Sequence, residues 1–190
     1  MANRNGQGFG LIPAGTLGGS PSIQGQGKYK IDAGHSTTIY NGECVKISSG
    51  YVVGGNGSAA NIVGVLNGIF YNDASTLKPT FANFYKATIT PANSEDTVAF
   101  VMDDPFQQYV VSSDAARTQA QFLATYDMNS SAGSDTTGKS SSTLDTSETS
   151  ADGKQFRLIR SAEDPENEDI TAAFFSGIVV PNLNSYNGHN

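Results

Sequence analysis

Tryptophan is absent from this chain, cysteine occurs once and histidine twice. A single cysteine, Cys44, excludes an intrachain disulfide. Within the run Cys44-Val45-Lys46-Ile47 it reads as a small buried hydrophobe rather than a nucleophile. One cysteine and two separated histidines, His35 and His189, cannot assemble an ordinary zinc site without carboxylates. No apolar run approaches the ~18 residues that a membrane-crossing helix needs. The opening residues lack the charged-then-apolar order of a signal peptide, so synthesis and first assembly in a cytoplasm are expected. Basic residues are scarce as well. Eleven Lys and Arg stand against eighteen Asp and Glu, a net charge of −7. The nearest thing to a basic cluster is Lys28 with Lys30. A phosphate-binding face needs more than that, so neither nucleic acid nor a membrane is expected as a partner.

The 190 residues suit one compact body with an appended arm or a large loop. Hydrophobic residues make up 37% of the chain, below the ~45–50% of an average globular protein. The core must therefore come from short Val, Ile, Phe and Tyr segments separated by glycine-containing turns. Residues 1–28 read as an extended N-terminal arm. Eight of the first 27 are glycine, and Phe9, Leu11, Ile12, Leu17 and Ile23 follow neither a helical nor a strand period. Such a segment is either a disordered tail or an arm that orders on a neighbouring subunit, and the spaced apolar anchors favour the arm.

Residues 29–190 read as an all-β body, a small barrel or sandwich with at most one short helix. Thr37 to Tyr40, the turn Asn41-Gly42, Cys44 to Ile47, the turn Ser48-Ser49-Gly50 and Tyr51 to Val53 suggest hairpins. Ile62 to Leu66 has the texture of a strand buried on both faces, with Gly64 and Gly68 marking bulges or close backbone approach. Residues 81–90 suggest one more strand. Thr97 to Val111 reads as a hairpin turning at Asp103-Asp104-Pro105. Residues 114–126 are the one plausible helix, capped by Asp114, with loop and strand as the alternative. Thirteen of the 24 residues in 129–152 are Ser or Thr, which suggests a long solvent-facing loop. Phe156 to Arg160 and Ala172 to Val180 return as strands around an acidic loop at 163–169.

One motif matches a chemistry by its letters. Gly133 to Ser140 fits G-x-x-x-x-G-K-[ST], the phosphate loop. That loop needs a buried strand before it and a helix after it, so that backbone N–H groups face the phosphates. The flanks here supply neither, and Asp135 would set a carboxylate beside them. No nucleotide binding is expected. Gly6 to Gly10 is not a dinucleotide fingerprint. G-x-S-x-G does not occur, and neither Asp103-Asp104 nor the run 163–169 has the spacing of a calcium loop. The chain is expected to be a structural protein, not an enzyme, without cofactor or metal.

Several stretches in one order resemble a known family. Gly8-Phe9-Gly10 and Leu17-Gly18-Gly19-Ser20-Pro21 are similar to the glycine-rich N-terminal arm of small structural proteins of tailed phages. The likeness continues at Tyr29-Lys30-Ile31, Thr38 to Lys46, Ile62 to Gly68, Val101 to Pro105 and Phe156 to Ile159. Asn41-Gly42-Glu43 with Val45-Lys46, followed by Ile62-Val63-Gly64-Val65, resembles the small barrel of capsid decoration (cement) proteins. The tract 129–152 has no counterpart there. The resemblance implies a virion protein on the capsid exterior. It would be commonly a trimer and would bind the major capsid protein to reinforce contacts between its subunits. It implies no catalytic residues. Phe9, Leu11, Ile12, Leu17 and Ile23 are then the expected contacts with capsid or sister subunits. The competing reading is a head-fibre or surface carbohydrate-binding module, which an exposed aromatic platform would favour.

Overall fold

The computed structural model describes residues 3–18, 25–57, 61–129, 133–150 and 152–186, without the side chains of 148 and 149. The fold is all-β. Twelve strands form two six-stranded sheets, and the helical content among the described residues is two single 3-10 turns, at Ala92–Ser94 and Gln119–Gln121. The strands are β1 (Ile12–Thr16), β2 (Gly27–Ile31), β3 (Cys44–Ser48), β4 (Tyr51–Gly54), β5 (Gly64–Asn72), β6 (Pro79–Ala82), β7 (Thr97–Met102), β8 (Gln107–Ser112), β9 (Thr125–Met128), β10 (Leu144–Ser150), β11 (Phe156–Ser161) and β12 (Ser176–Pro181). The first sheet runs β1-β8-β12-β11-β9-β10. The second runs β2-β7-β5-β3-β4, with β6 also on β5. All these pairings are antiparallel.

Two buried clusters hold the sheets. The first lies between them: Tyr109, Tyr126, Phe156 and Val179 of the first sheet meet Cys44, Val65 and Met102 of the second. The second cluster fills the opposite face of the second sheet, with Val45, Leu66, Ile69, Ala99 and Val101 packed beneath Ile39 and Tyr85. Val65 and Leu66 thus enter different cores, as the doubly buried run at 62–66 suggested. The second sheet bends until its outer strands β2 and β4 lie against each other. No ladder joins them, so the barrel is not closed. Gly64 sits where β5 meets β7: a Cβ there would fall 2.1 Å from the Met102 carbonyl oxygen. The β5–β7 register shifts between Leu66 and Gly68, a bulge at the second glycine.

Five expectations are corrected. Thr97 to Val111 is two strands but not a hairpin. β7 pairs with β2 and β5, whereas β8 pairs with β1 and β12, so the turn at 103–106 carries the chain from one sheet to the other. The helix at 114–126 is a 3-10 turn followed by β9, every residue of which is buried. The strand at 81–90 is limited to β6, with an isolated bridge from Tyr85 to Ile39 beyond it. The tract 129–152 is a solvent-facing loop only in part: 134–137 and Lys139 are exposed, whereas Ser140, Ser142, Thr143 and Leu144 are buried, and 144–150 is the edge strand β10. Hydroxyls reach the interior there because they bond one another. Ser140 and Ser142 share a 2.5 Å hydrogen bond, and the Asn56 side chain donates to Ser142 at 2.5 Å.

The fifth correction concerns the arm. Residues 3–17 are joined to their own chain. Asn3 donates to the carbonyls of Asp169 and Ala173 at 3.0 and 2.9 Å, and its side-chain oxygen accepts from the Asp169 N–H at 3.1 Å. Leu11 is 2% exposed in the first core, and β1 completes the first sheet against β8. Burial of one leucine is worth about 1.5–3 kcal/mol. The ladder to β8 adds to this and ties the stretch to its own body.

Candidate functional site

The face of the second sheet opposite the second core, the same face whose Val65 and Met102 enter the first core, carries an aromatic cluster. Side chains alternate along a strand, so residues flanking buried Ala99 and Val101 point away from the second core. On β7 these are Val98 and Phe100, and on β5 Phe70, next to buried Ile69. Phe81 lies opposite Phe70 on β6, and Lys28 and Lys30 of β2 lie opposite Phe100 and Val98. The Phe81 ring is 72% exposed. It contacts Phe70 at a ring separation of 4.8 Å with the planes tilted by 47°. It runs nearly parallel to Phe100, 16° apart, at 6.3 Å.

Beside this cluster is a cleft of about 370 Å³, lined by Lys30, Phe70, Tyr71, Asn72, Pro91, Ser94, Glu95, Asp96 and Val98. Its rim is shaped by the 3-10 turn, where Asn93 and Ser94 both have left-handed backbone (φ 56° and 54°). Asp73 closes the adjacent turn, accepting from the N–H groups of Ser75 and Thr76 at 2.9 Å each. The Ser75 hydroxyl, which also donates to Asp73, and these two N–H groups hold its carboxyl below the usual range. Burial pushes the Tyr71 phenol up, with help from Asp73. The side chains of Lys30, Asn72, Ser94, Glu95 and Asp96 make no hydrogen bond or ion pair among the described residues. Five polar side chains thus border one concavity, with Lys30, Ser94 and Glu95 exposed to solvent and able to exchange water for a ligand.

A second exposed surface lies at the first sheet's edge. Ile12 and Leu17 are 48% and 47% exposed on and just after β1, beside Phe106 at 57%. The Leu17 N–H donates to the Phe106 carbonyl at 2.9 Å. No charged residue occurs between Arg4 and Lys28. The edge is interrupted by Pro13 and a register shift before Gly15. Of the expected contact residues, then, Ile12 and Leu17 are exposed here, Phe9 is half-buried, Leu11 is interior, and Ile23 lies outside the described residues.

The phosphate-loop letters fold into a different object. Gly133 bridges Ser140, the Ser134 N–H donates to Lys139 and the Gly138 N–H to Ser134, so the loop closes on itself. Asp135 accepts from the Tyr40 hydroxyl at 2.8 Å and pairs with Lys86 at 3.2 Å, both of which lower its pKa. Strand, not helix, follows it. Cys44 is fully buried and donates to the Asn56 side-chain oxygen at 2.9 Å; burial pushes its thiol pKa well up, which suits an inert core residue. Among the described residues no three His, Cys, Asp or Glu side chains are placed to hold a metal ion. No described helix is long and apolar enough to cross a membrane.

Sequence reasoning placed Phe81 on a strand and noted Lys30 only beside Lys28, and it did not bring Phe81 and Lys30 together. The cluster draws on four strands spread over residues 28–100, and no local spacing encodes it. Comparison with protein families, with curated proteins and with solved structures finds no match to this chain.

Proposed function

We propose that this chain is a structural protein of a phage capsid exterior. In this reading it is a decoration protein that binds the major capsid protein as a trimer and reinforces contacts between its subunits. The observation that carries the reading is the uncharged edge of the first sheet. There Ile12, Leu17 and Phe106 are exposed on and beside a strand with one side unpaired, where proteins ordinarily place charge to prevent docking. The segment that shows the resemblance to decoration-protein arms supplies two of those three side chains. The body offers a rigid two-core platform behind them. Sedimentation of the purified chain with shells assembled from the major capsid protein of the same genome tests the reading. Many copies per shell are expected in the pellet, with the double variant Ile12→Asp, Leu17→Asp bound more than about tenfold more weakly, the equivalent of 1.4 kcal/mol. A chain that stays in the supernatant at saturating concentration overturns it.

A second reading, a surface carbohydrate-binding module such as one borne on a head fibre, is favoured by a separate observation. The exposed Phe81 ring adjoins, through Phe70, a cleft of unpartnered polar side chains.

A further inference from the structure

We infer that the Phe81–Phe100 platform and the adjoining cleft form one binding site for a neutral oligosaccharide, a proposal that rests on the second of the two readings above. A sugar ring has an apolar face of axial C–H groups and a rim of hydroxyls that both donate and accept. The site has the same two parts. The exposed Phe81 and the half-buried Phe100 stack within 16° of parallel on the face opposite the second core, with Phe70 joining them to the cleft. Aromatic faces of this kind carry a partial negative charge that attracts polarised C–H groups.

The cleft supplies the other half. The carboxylates of Glu95 and Asp96 are acceptors only, the Lys30 ammonium is a donor only, and Asn72 and Ser94 serve as both. None of these five is occupied within the protein. Adjacent hydroxyls of a sugar satisfy such a mixed set, whereas an apolar ligand would strand it. The volume, about 370 Å³, lies at the small end of the ~300–1,000 Å³ range of ligand sites. It suits one sugar residue in the cleft with the next on the aromatic platform. Within the cleft two carboxylates stand against one ammonium, Lys28 lying beside the platform, so the cleft takes a neutral sugar residue and disfavours a uronic acid, a sialic acid or a phosphate there.

The test applies the full chain to a microarray of neutral glucose-, mannose-, galactose- and N-acetylglucosamine-based oligosaccharides beside their sialylated and uronic counterparts. Titration of the best ligand by NMR follows. Binding to neutral members only is expected, with phenylalanine ring signals shifting on titration. Phe81→Ala is expected to weaken binding at least about tenfold, and Glu95→Gln severalfold. The Phe81 side chain is exposed, so its removal leaves the fold intact, and Glu95→Gln keeps the shape of the cleft. Binding that both variants leave unchanged overturns this site while the carbohydrate-binding reading stands. Binding confined to acidic sugars overturns the selectivity and with it the site. No binding to any member overturns both, and leaves the capsid reading to its own experiment.

Discussion

The two sheets solve the problem of covering their faces differently. In the first sheet, β12 is buried on both sides: Val179 enters the core between the sheets, while Ile178 and Val180, which point the other way, are only 6% and 8% exposed. β9 is buried along its whole length, and its Asp127, packed away from the core, is paired with Lys154 at 3.0 Å. The second sheet covers its outer face with its own loops and leaves on its inner face, beside the Val65 and Met102 that enter the shared core, a patch formed by exposed Phe81 and half-buried Phe70 and Phe100. Both sheets are built from similar short strands. The difference is that β12 and β9 of the first sheet are buried on both sides, whereas Phe81 stays 72% exposed among the described residues. A face left apolar and uncovered beside a polar cleft is where a folded body has surface to offer a ligand.

Removing a large ring from each side makes the comparison quantitative. Phe156 is fully buried in the first core and meets Tyr109 edge to face at 6.3 Å. Phe156→Ala is expected to cost about 3–5 kcal/mol, measured by urea unfolding. A loss below ~1 kcal/mol would mean that the interior of the first sheet is as dispensable as the surface of the second.

The next largest effect depends on pH and lies at the junction of the sheets. Glu43 follows Gly42, whose N–H donates to Leu66 and whose carbonyl accepts from Leu11. Burial pushes the Glu43 carboxyl from 4.5 up to about 7, against the opposing effect of the Tyr40 N–H that it accepts at 3.0 Å. The folded state therefore holds this proton more tightly than the unfolded one. The resulting stability is complete below the unfolded value of about 4.5 and is lost as pH rises towards 7. The full loss is ~3 kcal/mol at 1.36 kcal/mol per unit. Thermal melts between pH 4.5 and 7.5 are expected to show in the parent a falling contribution to Tm that Glu43→Gln removes. Both proteins carry in addition the opposite slope of His35, whose pKa burial lowers. The carboxyls whose pKa is lowered, Asp73, Asp135 and Asp169, change protonation only below this window. A variant with the same slope as the parent would remove Glu43 from the account.

The smallest effect completes the contrast. Phe81→Ala is expected to change stability by no more than about 0.5 kcal/mol, as surface substitutions generally do. A cost above ~2 kcal/mol in the same unfolding assay would show that the ring packs rather than presents itself.

Much of the strand pattern was legible because alternation and turns are local. The β3–β4 hairpin could be read from Ser49-Gly50, and both residues do have left-handed backbone (φ 51° and 87°), which a two-residue hairpin turn needs. The same locality explains the miss at β7–β8. Both strands show the identical burial sequence, alternating and ending in two buried residues, whether or not they pair with each other. Only distant partners decide that. The helical composition of 114–126 gave way to β9 because Tyr126 fills the first core and its hydroxyl donates to the Gln121 carbonyl at 2.8 Å. The Ser/Thr tract was partly misread because composition counts hydroxyls as exposed, whereas paired hydroxyls can be interior. The candidate sugar site was not legible at all. Phe70, Phe81 and Phe100 look like core residues in sequence, and only strand register turns them away from the second core.

The position of β12 sets a timetable for the chain as it leaves the ribosome. It is the last strand described, yet it lies in the middle of its sheet, between β8 and β11. Until residues 176–181 emerge, β8 and β11 each present a bare, apolar edge able to recruit any extended segment nearby. The half-made molecule therefore passes through an interval of stickiness that the finished one does not have, and long-range closure of this kind is slow. A chain stalled or shortened before residue 176 is thus expected to accumulate as aggregate instead of as a smaller folded protein.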